Sequence, residues 1–473
     1  MKHTLWKCSL GELADCLARR DISAVELLDH YLDRLGRYDP VLNTVIALNP
    51  SARKAAEASD ERRRKGMSLG MLDGIPFTVK DNILTSDLPT RWGSRVYANE
   101  GPGPDEECVR RLKAAGAIVM GKTNVPEFTL EGFTDNPLFG PTKNPWDKTK
   151  TPGGSSGGAV AGVAAGLAPF ALGTDGGGSI RRPCGYTGLF GLKPSIGRIP
   201  RTETLPQILS DMEVVGPISR DVDGLITVFE TIAGMCLTDP RSCLAPEICD
   251  YDGPGKKLKI LYVPRLGDAP VAPEVLVSTG KIATRFEEMG HDVTQGDMPI
   301  DIGFLTEAWP MIGRAGLGFL ARQVGGRFER ASEKYRAMAD DGTQLSSATL
   351  FGIFDAIANL RRAAAAVFNQ WDVILMPSSA SMPWAIGLDY PPKIDGADVG
   401  PRGHAVYTGW VNAIGCPALN LPGPQGTNGL PVGSQIIAGF NRDRFVLRLA
   451  KHYETAYPAP GLWPALVNDQ GME

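Results

Sequence analysis

The sequence has few of the features that mark membrane, nucleic-acid-binding or disulfide-rich proteins. No run of about 18 apolar residues occurs among the 473 residues, so no transmembrane helix is predicted. The first residues, MKHTLWKCSLGELADC, lack an apolar segment of the secretory type, so no secretory signal is expected. Basic residues form just short clusters, 62–65 and 256–259, and the formal net charge is −4. No nucleic-acid partner is therefore expected.

The cysteines also lack a recognisable spacing pattern. The eight cysteines include no C-x-x-C pair and are scattered along the chain. They are typical of reduced thiols, so we expect a cytoplasmic protein. Cys243 and Cys249 are close in sequence, but no histidine lies near them, and no metal site is predicted.

Candidate helices and strands alternate along the chain and predict the α/β fold class. Ser23 and Glu26 form a capping-box pattern ahead of a helix, and short apolar runs such as 75–79, 117–120, 170–172 and 258–263 predict buried strands. Without internal repeats, we expect one large domain over residues 1–473. Its predicted parts are a helical segment 1–68, a core 70–235, a helical excursion 240–365 and a second core part 366–473.

The chemically distinctive stretch runs over residues 151–194 and holds two serine clusters lined by glycine, 153–158 and 176–179. Glycine loses more backbone freedom on folding than any other residue, so this density needs a reason. Glycines allow positive φ angles and bring backbone N–H groups close to a ligand. A serine hydroxyl beside such N–H groups provides a nucleophile and an oxyanion hole, which acyl transfer requires.

Two other interpretations of these motifs are open at this point. The first cluster fits G-x-S-x-G, the nucleophile elbow of α/β-hydrolase esterases, with Ser155 or Ser156 as nucleophile. That mechanism needs a histidine, and His291, His404 and His452 are available. Separately, residues 116–123 match a phosphate-loop pattern, but the predicted strand lies between its glycines, so nucleotide binding is rejected.

The motifs GGSSGG, GTDGGGSIR and GLKP, together with GIPFTVKDN and GKTN upstream, resemble those of the amidase signature family of serine hydrolases. The resemblance covers nearly the whole chain and implies a mixed sheet between layers of helices. It implies that no metal or other cofactor is used and suggests a homodimer. It implies a catalytic relay of three residues: Ser179 as nucleophile, Ser155 as a bridging serine after a cis peptide bond from Gly154, and Lys80 as base.

The same resemblance assigns supporting roles. The backbone N–H groups of Gly176, Gly177, Gly178 and Ser179 are expected to form the oxyanion hole, and Thr129 to line the substrate pocket. Ser156, Asp175 and Arg181 are expected to hold these loops by hydrogen bonds.

Lys80 ends a predicted strand, where a lysine is typical of a surface position. The resemblance favours the other interpretation, a buried lysine with a lowered pKa that can accept a proton. Burial and the nearby positive charge of Arg181 are expected to lower that pKa.

The implied activity is hydrolysis of the C–N bond of a small amide through an acyl-enzyme. Cleavage of a carbamate or an ester by the same residues is an alternative. A role as a glutamyl-tRNA amidotransferase A-like subunit is another, but Arg182 stands where that subunit has glutamine, and its glutamine-binding arginine segment is not found. Gly176 stands where family members more often carry a side chain. Residues 240–365 carry no family motif and are expected to set specificity.

Overall fold

Strands from the whole length of the chain pair into one sheet. The computed structural model describes residues 2–247, 249–458, 461 and 463–468. The strands are β1 (Val45–Leu48), β2 (Pro76–Lys80), β3 (Ile118–Thr123), β4 (Phe170–Asp175), β5 (Phe190–Lys193), β6 (Val214–Ser219), β7 (Lys259–Tyr262), β8 (Asp292–Gln295), β9 (Val373–Pro377), β10 (Lys393–Ile394), β11 (Ala397–Asp398), β12 (Ala418–Gly423) and β13 (Val432–Ile437).

The sheet is mixed. Among the described residues it has eleven strands in the order β1-β3-β2-β4-β6-β5-β12-β13-β9-β7-β8, while β10 and β11 form a separate small ribbon. Strand β2 is parallel to β3 and β4, and β7 is parallel to β8 and β9. The remaining pairs are antiparallel. The α/β prediction with a mixed sheet is thus confirmed.

Helices cover the sheet on both sides. They are α1 (Leu10–Arg19), α2 (Ala24–Leu42), α3 (Ala52–Arg64), α4 (Glu107–Ala114), α5 (Gly157–Ala164), α6 (Arg181–Thr187), α7 (Val222–Ile232), α8 (Pro273–Glu288), α9 (Leu305–Val324), α10 (Glu333–Gln344), α11 (Ser347–Val367), α12 (Gly409–Ile414), α13 (Asp443–Ala456) and α14 (Ala465–Asn468).

Local sequence explains where the first helices begin. The Ser23 side chain accepts a hydrogen bond from the Glu26 N–H while the Glu26 carboxylate accepts one from the Ser23 N–H, the predicted capping box. Ser9 and Glu12 form a second one at α1. Each box satisfies two N–H groups that the first helical turn leaves without partners.

The small helix α5 packs closely against its neighbours because its residues are small. All its residues are buried. A Cβ atom built at Gly158 would overlap the backbone of Asn124, which directly follows β3. A larger residue at position 158 would therefore push α5 away from β3 and displace Ser156, which directly precedes α5.

Some elements differ from the sequence-based expectations. Residues 409–414, where no helix was predicted, form the short helix α12. The helical segment 240–365 also adds two strands to the sheet: β7 matches the predicted strand 258–263, whereas β8 was not predicted. In the part of the chain that the structure describes, no helix combines the length and apolarity needed to cross a membrane.

Candidate active site

The fold brings the two serine clusters into contact. Ser155 precedes α5, and Ser179 lies in the turn between β4 and α6. The Ser156 N–H donates to the Ser179 carbonyl oxygen at 3.2 Å. The peptide bond between Gly154 and Ser155 is cis, as the resemblance implied. Ser155 and Ser179 are 1% and 7% exposed, so both are shielded from bulk water.

Lys80 reaches the first cluster from the end of β2. Because β2 runs parallel to β4, its last residue lies at the edge of the sheet where β4 also ends. Lys80 Nζ lies 2.8 Å from Ser155 Oγ. It lies 2.8 Å from Thr174 Oγ1 and 3.1 Å from the Thr174 carbonyl oxygen. Lys80 and Ser155 are therefore within direct proton-transfer distance.

The environment of Lys80 favours its neutral form. Its side chain is fully buried, and this burial lowers the pKa of its amino group to about 7, because an ammonium loses its hydration there. The carboxylates of Glu213 and Asp175 act in the opposite direction, and the positive charges of Arg201 and Arg182 lower the pKa further. Near neutral pH a large fraction of Lys80 is thus an amine with a free lone pair.

The expectation that Arg181 supplies the repulsion at Lys80 is wrong. Arg181 is fully buried and pairs with Asp175, with Nη2 at 2.9 Å and Nε at 3.0 Å from the carboxylate. Its charge is therefore compensated locally. The arginines that lower the Lys80 pKa are Arg201 and Arg182 instead.

Asp175 organises the turn that carries Ser179. Its carboxylate accepts hydrogen bonds from the backbone N–H groups of Gly178 at 2.7 Å, Ile180 at 3.1 Å and Arg181 at 3.3 Å. Burial alone would raise the pKa of Asp175, but Arg181, Lys193 and Asn412 hold it well below its usual range. The carboxylate is therefore ionised throughout the physiological pH range.

This arrangement corrects one predicted oxyanion-hole donor. The Gly178 N–H points at Asp175 Oδ1, so it is already occupied. The N–H groups of Gly176, Gly177 and Ser179 have no acceptor among the residues that the structure describes. Those three remain candidates for binding a developing oxyanion, and Gly178 has a structural role in the turn.

Each glycine of this turn is closely surrounded. A Cβ atom at Gly176 would lie 2.6 Å from Leu209 Cδ1, and one at Gly177 would lie 3.2 Å from the indole ring of Trp309. At Gly178, which has φ +111°, a Cβ would overlap Thr408 Oγ1 and Arg182 Nη1. The absence of a side chain at Gly176 is thus matched by Leu209, which occupies that space.

Thr129, predicted to line the substrate pocket, does not border the cavity that Trp92 borders. It is buried, its hydroxyl donates to the Phe128 carbonyl oxygen at 2.6 Å, and it accepts from Trp92 Nε1 at 3.0 Å. Trp92 itself borders a cavity next to Gly176, together with Asn82 and Leu209. Thr129 therefore holds Trp92, which borders this cavity, by a hydrogen bond.

A polar network that the sequence analysis missed surrounds Lys80. Asn82 Nδ2 donates to Thr174 Oγ1 at 3.0 Å and to Glu213 Oε1 at 3.2 Å, and Arg201 Nη1 lies 2.8 Å from the same carboxylate oxygen. Asn82 and Thr174 belong to the motifs GIPFTVKDN and GTDGGGSIR, which could have identified them. Glu213 and Arg201 lie outside every motif quoted above.

The histidines do not support an α/β-hydrolase arrangement. His452 Nδ1 hydrogen-bonds Tyr251, His291 Nδ1 accepts from the Leu258 N–H, and His404 packs against Trp384. Within the described residues neither Ser155 nor Ser156 has a histidine partner, since the hydroxyl groups contact Lys80 and the Thr174 carbonyl oxygen. The histidine-dependent alternative therefore lacks its base.

Comparison with known proteins agrees with this arrangement. The family model described as Amidase matches residues 26–447. A protein named putative amidase AmiA2 from Mycobacterium tuberculosis (strain ATCC 25618 / H37Rv) is 34% identical over 471 residues, covering 96% of this chain and 95% of that protein. The A-type subunit of glutamyl-tRNA(Gln) amidotransferase from Moorella thermoacetica is 33% identical, covering 95% of this chain and 96% of that protein.

The fold comparison points the same way. The crystal structure of a bacterial aryl acylamidase of the amidase signature enzymes superposes with a TM-score of 0.88, at 28% identity, covering 96% of each chain. The sequence match and the structural match both extend over almost the full length. This chain therefore belongs to the amidase signature family.

Proposed function

We propose that this protein hydrolyses the C–N bond of a small amide through an acyl-enzyme on Ser179, with Ser155 and Lys80 as the proton relay. The observation that carries the proposal is the 2.8 Å contact between the buried Lys80 amino group and Ser155. The family's amide-hydrolysing members support the reaction class, and the contacts of Lys80 and Ser155 support the residues proposed for it.

In the proposed acylation step, neutral Lys80 accepts the Ser155 hydroxyl proton while Ser155 accepts the proton of Ser179. The Ser179 oxygen forms a bond to the amide carbonyl carbon, and the carbonyl π electrons move to oxygen. The N–H groups of Gly176, Gly177 and Ser179 stabilise that oxyanion, which is the usual role of backbone donors in such a site.

Collapse of the tetrahedral intermediate breaks the C–N bond. The proton held by Lys80 returns through Ser155 to the leaving nitrogen, which departs as a neutral amine. A water molecule then attacks the acyl-enzyme and gives its proton to the same relay, and Ser179 leaves with a proton restored. The products are a carboxylic acid and an amine, with Lys80 again neutral.

The nucleophile is tested by Ser179→Ala. Turnover of a generic aryl amide is expected to fall by several orders of magnitude, because the attacking oxygen is absent. A fluorophosphonate should label Ser179 in the wild type, located by peptide mass spectrometry. Ser68→Ala, at an exposed serine, is the matched control and should retain full turnover. Wild-type turnover in Ser179→Ala would contradict the proposal.

The substrate class within this chemistry includes two close alternatives. Carbamates and esters have the same carbonyl carbon, so the relay can act on them as well as on amides. A panel of matched aryl amide, carbamate and ester substrates ranks them by kcat/KM. For an amidotransferase A-like role, supported by the 33% identity to the A-type subunit, glutamine added to this panel would have to be the best substrate.

A further inference from the structure

An arginine beside the proposed nucleophile pairs with no acidic side chain among the residues that the structure describes. Arg182 follows Ser179 by three residues on α6 and is 5% exposed. Its Nη1 group donates to the Gly177 carbonyl oxygen and to Thr408 Oγ1, the latter at 2.7 Å. Its Nε group has no hydrogen-bond acceptor in the part of the chain that the structure describes.

A second arginine, Arg402, lies close enough to Arg182 for the two positive charges to interact. The guanidinium of the half-buried Arg402 lies 5.6 Å from the centre of the Trp309 ring. That ring rests on Gly177, since a Cβ there would lie 3.2 Å from it. Trp309 is thus a neighbour both of Arg402 and of Gly177 in the candidate oxyanion hole. Among the described residues, neither Arg182 nor Arg402 has a carboxylate within 4 Å.

His404 completes this group of polar side chains. It is 3% exposed, and both of its ring nitrogens lack a hydrogen-bond partner among the described residues. Burial and the charges of Arg182 and Arg402 hold its pKa well below the ordinary value, so it is neutral and can donate one N–H. Its Nε2 faces the Gly132 backbone, and the adjoining Phe133 backbone lies against Gly154 in the first serine cluster.

The acidic residue with most influence on Arg402 is already engaged. Glu131 acts on Arg402 electrostatically, but its carboxylate lies 2.7 Å from Lys334 Nζ and accepts from the Tyr335 hydroxyl at 3.1 Å. Two poorly hydrated cations without an anion are unfavourable, and a buried charge is normally paired. The missing component of this group is an anion.

We propose that Arg182 and Arg402, with His404 as a neutral donor, bind a carboxylate of the substrate, so that the enzyme prefers short amides that carry a carboxylate at the other end. Arginine suits this role because its planar group pairs with both carboxylate oxygens. The proximity of Gly177 and Ser179 places this carboxylate near the scissile bond. The inference rests on the proposed function and specifies its substrate class.

The test compares succinamate and glutaramate with butyramide and valeramide, their uncharged counterparts. Wild-type kcat/KM is expected to favour the carboxylates. In Arg402→Met the ratio of anionic to neutral kcat/KM should fall about 10- to 100-fold, because hydrogen bonds to charged groups are the stronger class. Arg402→Lys should recover part of it. Arg322→Met, at an exposed arginine of the Trp309 helix α9, should leave the ratio unchanged.

A second readout does not depend on turnover. Succinate should slow fluorophosphonate labelling of Ser179 in the wild type and lose that effect in Arg402→Met. An unchanged ratio in Arg402→Met, a wild-type preference for the neutral amides, or labelling insensitive to succinate overturns the carboxylate site. If Ser179 is neither labelled nor required for turnover, the proposed function itself fails, which is a different result.

Discussion

At the scale of single residues, the amino group of Lys80 determines the expected pH dependence. Burial lowers its pKa to about 7, and the proposed base must be neutral to accept a proton. We therefore expect kcat/KM to rise with pH through about 7 and to level off above it. Lys80→Ala should reduce the rate about 10²–10⁴-fold, the usual contribution of a general base. The measurement is a pH–rate profile with a neutral amide.

Lys80→Arg separates a base from a fixed positive charge. A guanidinium remains protonated over the whole accessible range, so this variant should be as inactive as Lys80→Ala. Lys143→Arg, which changes a lysine outside the site in the same way, serves as control. An active Lys80→Arg enzyme with an unchanged profile would show that the lysine acts through its charge alone, which the relay mechanism does not allow.

Glu213 is the strongest charge that keeps the Lys80 pKa from falling further. Replacing it as Glu213→Gln removes that charge and leaves Arg201 without one of its two carboxylates. Both effects disfavour the ammonium form, so the rising limb of the pH–rate profile should move to lower pH. Asp211→Asn, two residues away and paired with Arg361 at the surface, is the matched control. A shift to higher pH would contradict this account.

The sequence indicated the three residues of the proposed relay but not the groups that surround them. Lys80, Ser155 and Ser179 lie in contiguous motifs, so their types and spacing were visible. Glu213 and Arg201, which adjust the Lys80 pKa, lie in the segment before β6. That segment is more than 100 residues from Lys80 in the sequence. Arg181 was assigned to Lys80 because it is near Ser179 in sequence, whereas its side chain turns to Asp175.

At the scale of elements, the turn between β4 and α6 depends on Gly178. Its φ of +111° is unfavourable for any side chain, and a Cβ there would overlap Thr408 and Arg182. Gly178→Ala should cost about 1–3 kcal/mol from backbone strain and about 1–3 kcal/mol more from overpacking. We expect lower stability to urea and a large loss of turnover, since Ser179 is the next residue.

Gly253 provides the control for that experiment. Its φ is +108°, yet a Cβ at this position would meet no described residue within 4 Å. Gly253→Ala therefore carries the backbone strain without the overlap and should be clearly the milder change in urea stability. Equal destabilisation by the two substitutions would show that packing around Gly178 has no effect.

Element prediction succeeded where a local pattern was sufficient. The start of α2 followed from its capping box, and the apolar strands followed from their short apolar runs. Helix α12 was missed because Gly409–Ile414 is short and fully buried, and a buried helix has no polar face to reveal its period. Strand β8 was missed because Asp292–Gln295 lies at the sheet edge and is largely exposed, so it carries no apolar run.

At the scale of the whole molecule, residues from the last part of the chain support the turn that carries Ser179. Arg181 Nη1 donates to Gln435 Oε1 at 2.7 Å and Nη2 donates to Asn412 Oδ1 at 2.6 Å, while Asn412 Nδ2 donates to the Asp175 carbonyl oxygen at 2.8 Å. These partners are more than 200 residues apart in sequence. Pattern analysis sees local spacing, so it could identify Arg181 and Asp175 as supports but not Asn412 or Gln435.

The sheet also carries three fully buried lysines, which link global stability to pH. Burial lowers the pKa of Lys80 to about 7 and those of Lys122 and Lys193 to about 8. In the unfolded chain a lysine titrates near its ordinary value of about 10.4. Between these limits the unfolded state binds more protons than the folded state, so the free energy of unfolding rises with pH. Below pH 7 all three lysines carry the full penalty of a buried charge.

Lys80→Met isolates the Lys80 share of this effect. With a folded pKa of about 7 and an unfolded pKa of about 10.4, raising the pH from 7 to 9 should stabilise the wild type about 2 kcal/mol more than the variant. Urea unfolding of both proteins at the two pH values, followed by tryptophan fluorescence, measures that difference. Lys113→Met, at a lysine paired with Asp87 and Asp105 near the surface, should show the wild-type pH response. If Lys80→Met gains as much stability as the wild type over this range, Lys80 is already neutral at pH 7 or still charged at pH 9. The pH–rate profile distinguishes these two outcomes, because its rising limb would lie below pH 7 in the first case and above pH 9 in the second.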